Sequence, residues 1–385
     1  MLLRLLGWHG ADPADAALLA AAAGFRRMFQ LASPAAPGLH AWGAEIEVAA
    51  GLAFASGTGT TAAEAFRGCI GEALERAAID APDQTLAIRR RAASAWRPRI
   101  PGLPARPECI ETDAFWAPVD LVLRRAAPEF RPPWPMSSGC AAGPDTAAAS
   151  LAALLELIER DAAALWWDGG HPPRPVPLEA SLAAADAIAT LRAGNPGRAT
   201  WLLDITSDLG VPVLLAASCD AASGKGVCLG FSARLNAAAA ARAAVLEMAQ
   251  MELAHHVVLA KRAERGPAAL NPADHAHLAR HAALAITTPG LRPQGPPARH
   301  RDLADLAALR AALRGAGIAH GLVTLRRGSP AQCNDAVGPR AAAGRYAGVA
   351  PVMRALAPLL EAPGATAHGP RFRSAGPAVA QVSLL

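Results

Sequence analysis

Three stretches of the chain repeat one pattern, apolar positions broken by polar residues three apart. The segment from Thr61, TAAEAFRGCIGEALERAA, superposes without a gap on DTAAASLAALLELIERDA from Asp145, and NAAAAARAAVLEMAQMEL from Asn236 falls in the same frame. Alanine and leucine dominate all three, and each follows a Gly- or Asn-containing turn, so each is predicted helical. The alignment sets Glu72 on Glu156 and Glu247, Glu75 on Glu159 and Gln250, and Arg76 on Arg160. Residues three apart share a helix face. Each helix therefore presents a polar pair among apolar neighbours such as Ile70, Leu74, Leu157 and Ile158.

Between these helices the period shortens. Residues 201–206 and 211–216, joined by Ser207, Asp208, Leu209 and Gly210, read as a strand pair, and residues 226–232 as a further strand. Residues 13–25 read as an amphipathic helix behind an acidic, proline-containing cap. Pro-rich stretches at 100–107, 128–135, 171–177 and 287–297 punctuate the chain. Alternating helices and strands predict an α/β fold of mixed α+β type, with helix-on-sheet units repeated around a site. No clean linker is visible, so residues 1–42 are expected to form a helical extension packed on one large catalytic domain, residues 43–385.

Composition narrows the function. With 52% apolar and 18% charged residues the chain is no disordered segment. The 37 Lys and Arg exceed the 32 Asp and Glu by five, but only Lys225 and Lys261 are lysines and the arginines are scattered among alanines. With 4% aromatics this is not the pattern of a nucleic-acid surface. No run of about 18 apolar residues lacks a charge or a breaker, so no membrane span is expected. The six cysteines contain no Cys-x-x-Cys pair, which fits a reduced, cytoplasmic chain.

Carboxylates set among apolar residues are costly unless a cation meets them. An arginine four residues after the first glutamate answers one carboxylate per helix, and magnesium with phosphate is the natural complement of the other. One Glu-x-x-Glu-Arg alone is commonly a solvated, salt-bridged helix face. Two copies in frame and a third carrying Gln250 point instead to helices converging on one metal–nucleotide site.

The blocks SGTGTTAAEAFRGCIGEALERAA (56–78), SSGCAAGPDTAAASLAALLELIERDAAALWW (137–167), LLDITSDLGVPVLLAASCD and GFSARLNAAAAARAAVLEMAQMEL (within 202–253) resemble the YcaO family. The resemblance implies an ATP- and Mg2+-using enzyme that phosphorylates a peptide-backbone amide oxygen, cyclodehydrating Cys, Ser or Thr of a ribosomal precursor peptide to azolines. Thioamide formation with an external sulfur donor and a degenerate, non-catalytic scaffold that binds peptide or partner are the alternatives. It further implies Glu72, Glu75, Glu156 and Glu159 as metal- and phosphate-facing ligands, Arg76 beside the first pair, Arg160 as a catalytic phosphate contact, and Glu247 with Gln250 as the third nucleotide motif, Gln250 acting with Arg160 in catalysis. The implied partners are the precursor peptide, a leader-binding or E1-like protein and a flavin-dependent azoline dehydrogenase, in an oligomer or multi-subunit complex.

The chain departs from the family pattern at Thr58, Gly68, Pro144, Ala147 and Ala148, where family members often carry basic, Ser, Asn or Glu residues, and Asp145 is the nearest replacement hard ligand. Its end, GPAVAQVSLL, lacks the Pro-x-Pro-x-Pro tail of many azoline-forming members.

Other groups read more plainly. His277 and His281 stand one helical turn apart, as a zinc pair would, but their segment reads as an ordinary capped helix, and His255 and His256 are expected at the surface. Cys140 is expected to be a small buried filler, Trp166 and Trp167 to be core, and SGTGTT lacks the lysine of a phosphate loop. Arg326, Arg327 and Arg354 are candidate extra phosphate contacts.

Overall fold

The computed structural model describes residue 6 and residues 13–82, 86–94, 96, 100, 102–132, 137–327 and 350–357. Cys333 and the terminal GPAVAQVSLL lie outside the described residues.

All three repeated segments are helices, and each begins where a polar side chain caps its exposed amides. Helix α2 (Ala62–Asp80) is capped by Thr61, whose hydroxyl accepts from the Glu64 amide, and α3 (Thr146–Trp167) by Asp145, which accepts from Ala148. Helix α5 (Ala237–Arg265) is capped by Asn236, which accepts from Ala239. Asp145 is thus committed to its own helix end. Among the described residues the other α-helices are α1 (Pro13–Ala23), α4 (Leu178–Arg192), α6 (Pro272–Ala283) and α7 (Leu306–Gly315).

The described residues form four three-stranded antiparallel sheets, three of which carry helices. The first comprises β1 (Arg27–Leu31), β2 (His40–Val48) and β3 (Gly51–Gly59), and β2 runs unbroken through residues 42 and 43. A small sheet holds β4 (Ile88–Arg90), β5 (Glu108–Glu111) and β6 (Trp116–Pro118). Strand β7 (Cys140–Ala142) pairs only later in the chain, with β12 (Val352–Leu356), which pairs with β11 (Gly321–Arg326). The expected hairpin appears as β8 (Arg198–Asp204) and β9 (Val213–Asp220), followed by β10 (Cys228–Ala233).

A shared unit emerges. Strands β3, β7 and β10 each lie at the edge of their sheet, and each is followed directly by a glutamate-bearing helix, α2, α3 or α5. Phe66, Ile70 and Leu74 of α2 pack into one core, Leu154, Ile158 and Trp166 of α3 into a second, and Ala244, Val245 and Met248 of α5 into a third. Cys140, Trp166 and Trp167 are buried, as expected.

Two glycines set how closely strand meets helix. A Cβ on Gly57 of β3 would lie 2.1 Å from the Cys69 amide nitrogen, and one on Gly230 of β10 would lie 2.1 Å from that of Met248. Only a residue without a side chain allows this approach. The glycine of SGTGTT therefore serves helix packing within a strand.

A buried ion network locks the third unit. Glu252 of α5 receives Arg192 of α4 at 2.6 and 2.8 Å and Arg198 of β8 at 2.8 Å, and the Ser218 hydroxyl of β9 also donates to it. Burial opposes ionisation of Glu252, yet the two guanidiniums hold its carboxyl below the usual range.

Candidate active site

The six repeated polar positions converge where the three units meet. The first glutamate of each helix turns to its own unit. Glu72 accepts from the Ser56 amide of β3 at 2.7 Å, Glu156 from the Gly139 amide just before β7 at 3.1 Å, and Glu247 from the Phe231 amide of β10 at 2.9 Å. The second position turns to the next unit. Glu75 accepts from the Ala142 amide of β7 at 2.7 Å and Glu159 from the Ala233 amide of β10 at 3.1 Å. Gln250 closes the cycle on β3, accepting from the Thr58 hydroxyl and donating to the Ser56 hydroxyl, both at 3.0 Å. The units form a ring whose inner surface is built of carboxylates held by edge-strand amides.

The two aligned arginines differ. Arg76 is hydrogen-bonded to Glu72 at 2.5 and 3.1 Å on a half-exposed face, the ordinary helix salt bridge. Arg160 stands 3.8 Å from Glu156 and 3.7 Å from Glu159, beyond hydrogen-bond reach, and shares their electrostatic field with Glu247.

Burial makes Glu75, Glu156, Glu159 and Glu247 reluctant to ionise. Burial, reinforced by Glu159, raises Glu156 to about 7, and burial, reinforced again by Glu159, raises Glu247 to about 8. Burial also pushes Glu75 well above the carboxylate range, with Glu156 and Glu72 adding repulsion, and raises Glu159. A divalent cation relieves these costs together. Among the described residues no three His, Cys, Asp or Glu side chains are already gathered as a metal cage. Carboxylates supplied from neighbouring helices without a closed cage fit Mg2+, which keeps several waters and binds through one or two carboxylates plus substrate phosphates.

A cavity of about 170 Å3 opens beside Arg160 and Glu247, walled by Phe231, Met251 and, from α6, His277 and His281. His255, expected at the surface, instead lies half-buried: its ring stacks on His281 at 3.3 Å and its Nδ1 lies 3.3 Å from His277 Nε2. Stacked rings do not present a zinc pair. Burial lowers His255 to about 4 and His281 to about 3, so these two rings are neutral, while Arg160, Arg280 and Glu247 also line the cavity. His256 is exposed. Arg326 and Arg354 are buried, donating to the Ala81 and Leu121 carbonyls. Arg354 acts on Glu156 through space.

The family model described as YcaO cyclodehydratase, ATP- and Mg2+-binding, matches residues 108–331, more than half of the chain. The chain belongs to the YcaO family. ATP and Mg2+ are the cofactors of this YcaO protein. Among solved structures, a heterocyclase in complex with substrate and cofactor is 20% identical at a TM-score of 0.66, over 92% of this chain and 53% of that one. This chain thus spans about half the length of that heterocyclase. YcaO from Methanopyrus kandleri bound with AMPPCP and Mg2+ is 20% identical at a TM-score of 0.57, covering 89% and 88% of the two chains. A chain of the E. coli microcin synthetase McbBCD complex is 13% identical at a TM-score of 0.58, covering 86% and 87%. No curated protein matches.

The sequence pairing of Glu72 with Glu75 and of Glu156 with Glu159 holds within each helix. The amide donors at Ser56, Gly139, Ala142, Phe231 and Ala233 were not anticipated, because a backbone N–H leaves no residue signature. One trace exists: the first glutamate follows its strand donor by 16, 17 and 16 residues in the three units.

Proposed function

We propose that this YcaO protein uses Mg·ATP to phosphorylate backbone amides of a ribosomally made precursor peptide, cyclodehydrating Cys, Ser or Thr to azolines. The observation that carries this reading is the ring of glutamates from three helices, with the Arg160 guanidinium among them and outside hydrogen-bond reach. Glu72, Glu75, Glu156 and Glu159 are the groups that would hold Mg2+, which when bound would offset the negative charge of the nucleotide phosphates.

In the reaction the side-chain sulfur or oxygen gives up its proton and adds to the preceding carbonyl carbon, leaving the carbonyl oxygen as an oxyanion. The carbonyl oxygen takes the γ-phosphoryl group with ADP leaving, and phosphate then departs as the C=N bond forms and the amide proton is lost. Arg160 stabilises the charge that develops on the transferred phosphoryl group. Gln250, with both ends hydrogen-bonded to β3, keeps Ser56 and hence Glu72 in place. The precursor peptide and a leader-binding partner complete the system, and an azoline dehydrogenase would oxidise the product to azoles.

The test is incubation with a candidate precursor, its partner protein and Mg·ATP, with and without added sulfide as sulfur donor, followed by peptide mass. Loss of one water with ADP formation supports the reading; exchange of oxygen for sulfur indicates thioamide formation; neither, with no ADP, indicates a binding scaffold. Nucleotide binding is expected to require Mg2+, and tight ATP binding in excess EDTA would overturn the assignment.

A further inference from the structure

Resting on that reading, we infer that the backbone amides of Ala142 and Ala233 are positioning groups of the metal site, each orienting a carboxylate that belongs to the preceding unit. The Ala142 N–H meets Glu75 Oε1 at 2.7 Å and the Ala233 N–H meets Glu159 Oε2 at 3.1 Å, across 67 and 74 residues of chain.

Strand geometry explains why these amides are available. In an antiparallel ladder successive N–H groups point to opposite sides. Ala142 and Ala233 stand on edge strands, and their N–H groups point away from β12 and β9. The ladder bonds on the other side are made by their successors: the Gly143 amide donates to Pro351 and the Arg234 amide to Pro212. Nothing in the sheets is lost when each edge amide turns to a glutamate.

The physical effect is to fix a flexible ligand. A glutamate has three rotatable side-chain bonds, and holding one carboxylate oxygen on a rigid strand removes most of the orientations open to the other. Hydrogen bonds to ligating carboxylates commonly orient them, and losing one lowers metal affinity about 10–100-fold. Because the donor lies in the following unit, Glu75 and Glu159 are ordered only when two units are docked. Any residue but proline supplies the N–H, so the function leaves no mark in the side chains.

Proline at these positions removes the donor and leaves the ladder bonds of the neighbouring residues in place. Mn2+ binding in the presence of AMPPCP, read by electron paramagnetic resonance, is compared in wild type, Ala142→Pro and Ala233→Pro, with melting in EDTA reporting the fold. The expected result is Mn2+ affinity weakened about 10–100-fold in each variant while melting in EDTA stays near the wild-type temperature. A folded variant with wild-type Mn2+ affinity overturns the inference. Wild type that fails to bind Mn2+ with the nucleotide overturns the functional reading beneath it. Should a variant fail to fold, hydrogen exchange of the wild-type amides decides: protected Ala142 and Ala233 amides support the inference, and exchange as fast as an open edge amide overturns it.

Discussion

Gln250 donates to the Ser56 hydroxyl across 194 residues of chain, and this 3.0 Å contact joins the third unit to the first. At the other two junctions the equivalent position is a glutamate on a strand amide. The neutral amide suits this junction because it both accepts from Thr58 and donates to Ser56, which a carboxylate cannot do. Replacing Gln250 with Met removes both bonds, taking the acceptor from the Thr58 hydroxyl and leaving the Ser56 hydroxyl its bond to Glu72. Unfolding free energy is expected to fall by about 1–2 kcal/mol, measured by urea denaturation, with ADP formation reduced as Glu72 loses its fixed neighbour.

Charge at the ring opposes stability in the absence of cation. Glu75→Gln and Glu159→Gln replace acids that burial already penalises with neutral groups of the same shape. Each variant is expected to abolish Mg2+-dependent ADP formation while melting in EDTA at or above the wild-type temperature. A large loss of stability in EDTA would show that these carboxylates are structural.

The same acids set a pH dependence with a definite sign. Glu156 and Glu247 are raised from the ordinary glutamate value of 4.5 to about 7 and about 8, so the folded metal-free protein binds protons that the unfolded chain has released. Their contribution is fully present below pH about 4.5 and is lost as pH rises through 7 to 8. Melting temperature in EDTA is expected to decline over that window. Saturating Mg·AMPPCP should flatten the decline, because the cation replaces the protons.

Glu252 behaves in the opposite way, because its partners are fixed arginines. Arg192→Ala leaves a buried carboxylate with one cation fewer and is expected to cost about 3–5 kcal/mol, read by urea denaturation. Magnesium should not restore this loss, since the network lies outside the ring.

Glycine substitutions separate packing from chemistry. Gly57→Ala drives a Cβ to 2.1 Å from a backbone nitrogen of α2 and is expected to destabilise by at least about 1–3 kcal/mol. At Gly68, where a Cβ would meet only the Gly57 Cα at 3.5 Å, Ser should be tolerated and gain roughly 0.5 kcal/mol of helix propensity. Thermal melting of the two variants checks the contrast.

The sequence by itself determined the three helices, the β8–β9 hairpin and the in-frame glutamates, because helical periodicity and capping residues such as Thr61, Asp145 and Asn236 are local signals. It also carried the family resemblance through the blocks around Glu75, Glu159 and Glu247. Local signals could not distinguish Arg76, spent on Glu72, from Arg160, because that difference depends on what faces each helix. Nor could they place His255, whose stacking on His281 comes from α6 folding back on α5. The cyclic order of the units, with each second position bound to the next unit, was decided by tertiary structure alone. Its donors are mostly backbone amides, which every residue but proline carries, so only the docking of edge strands against neighbouring helices selects which of them meet a carboxylate.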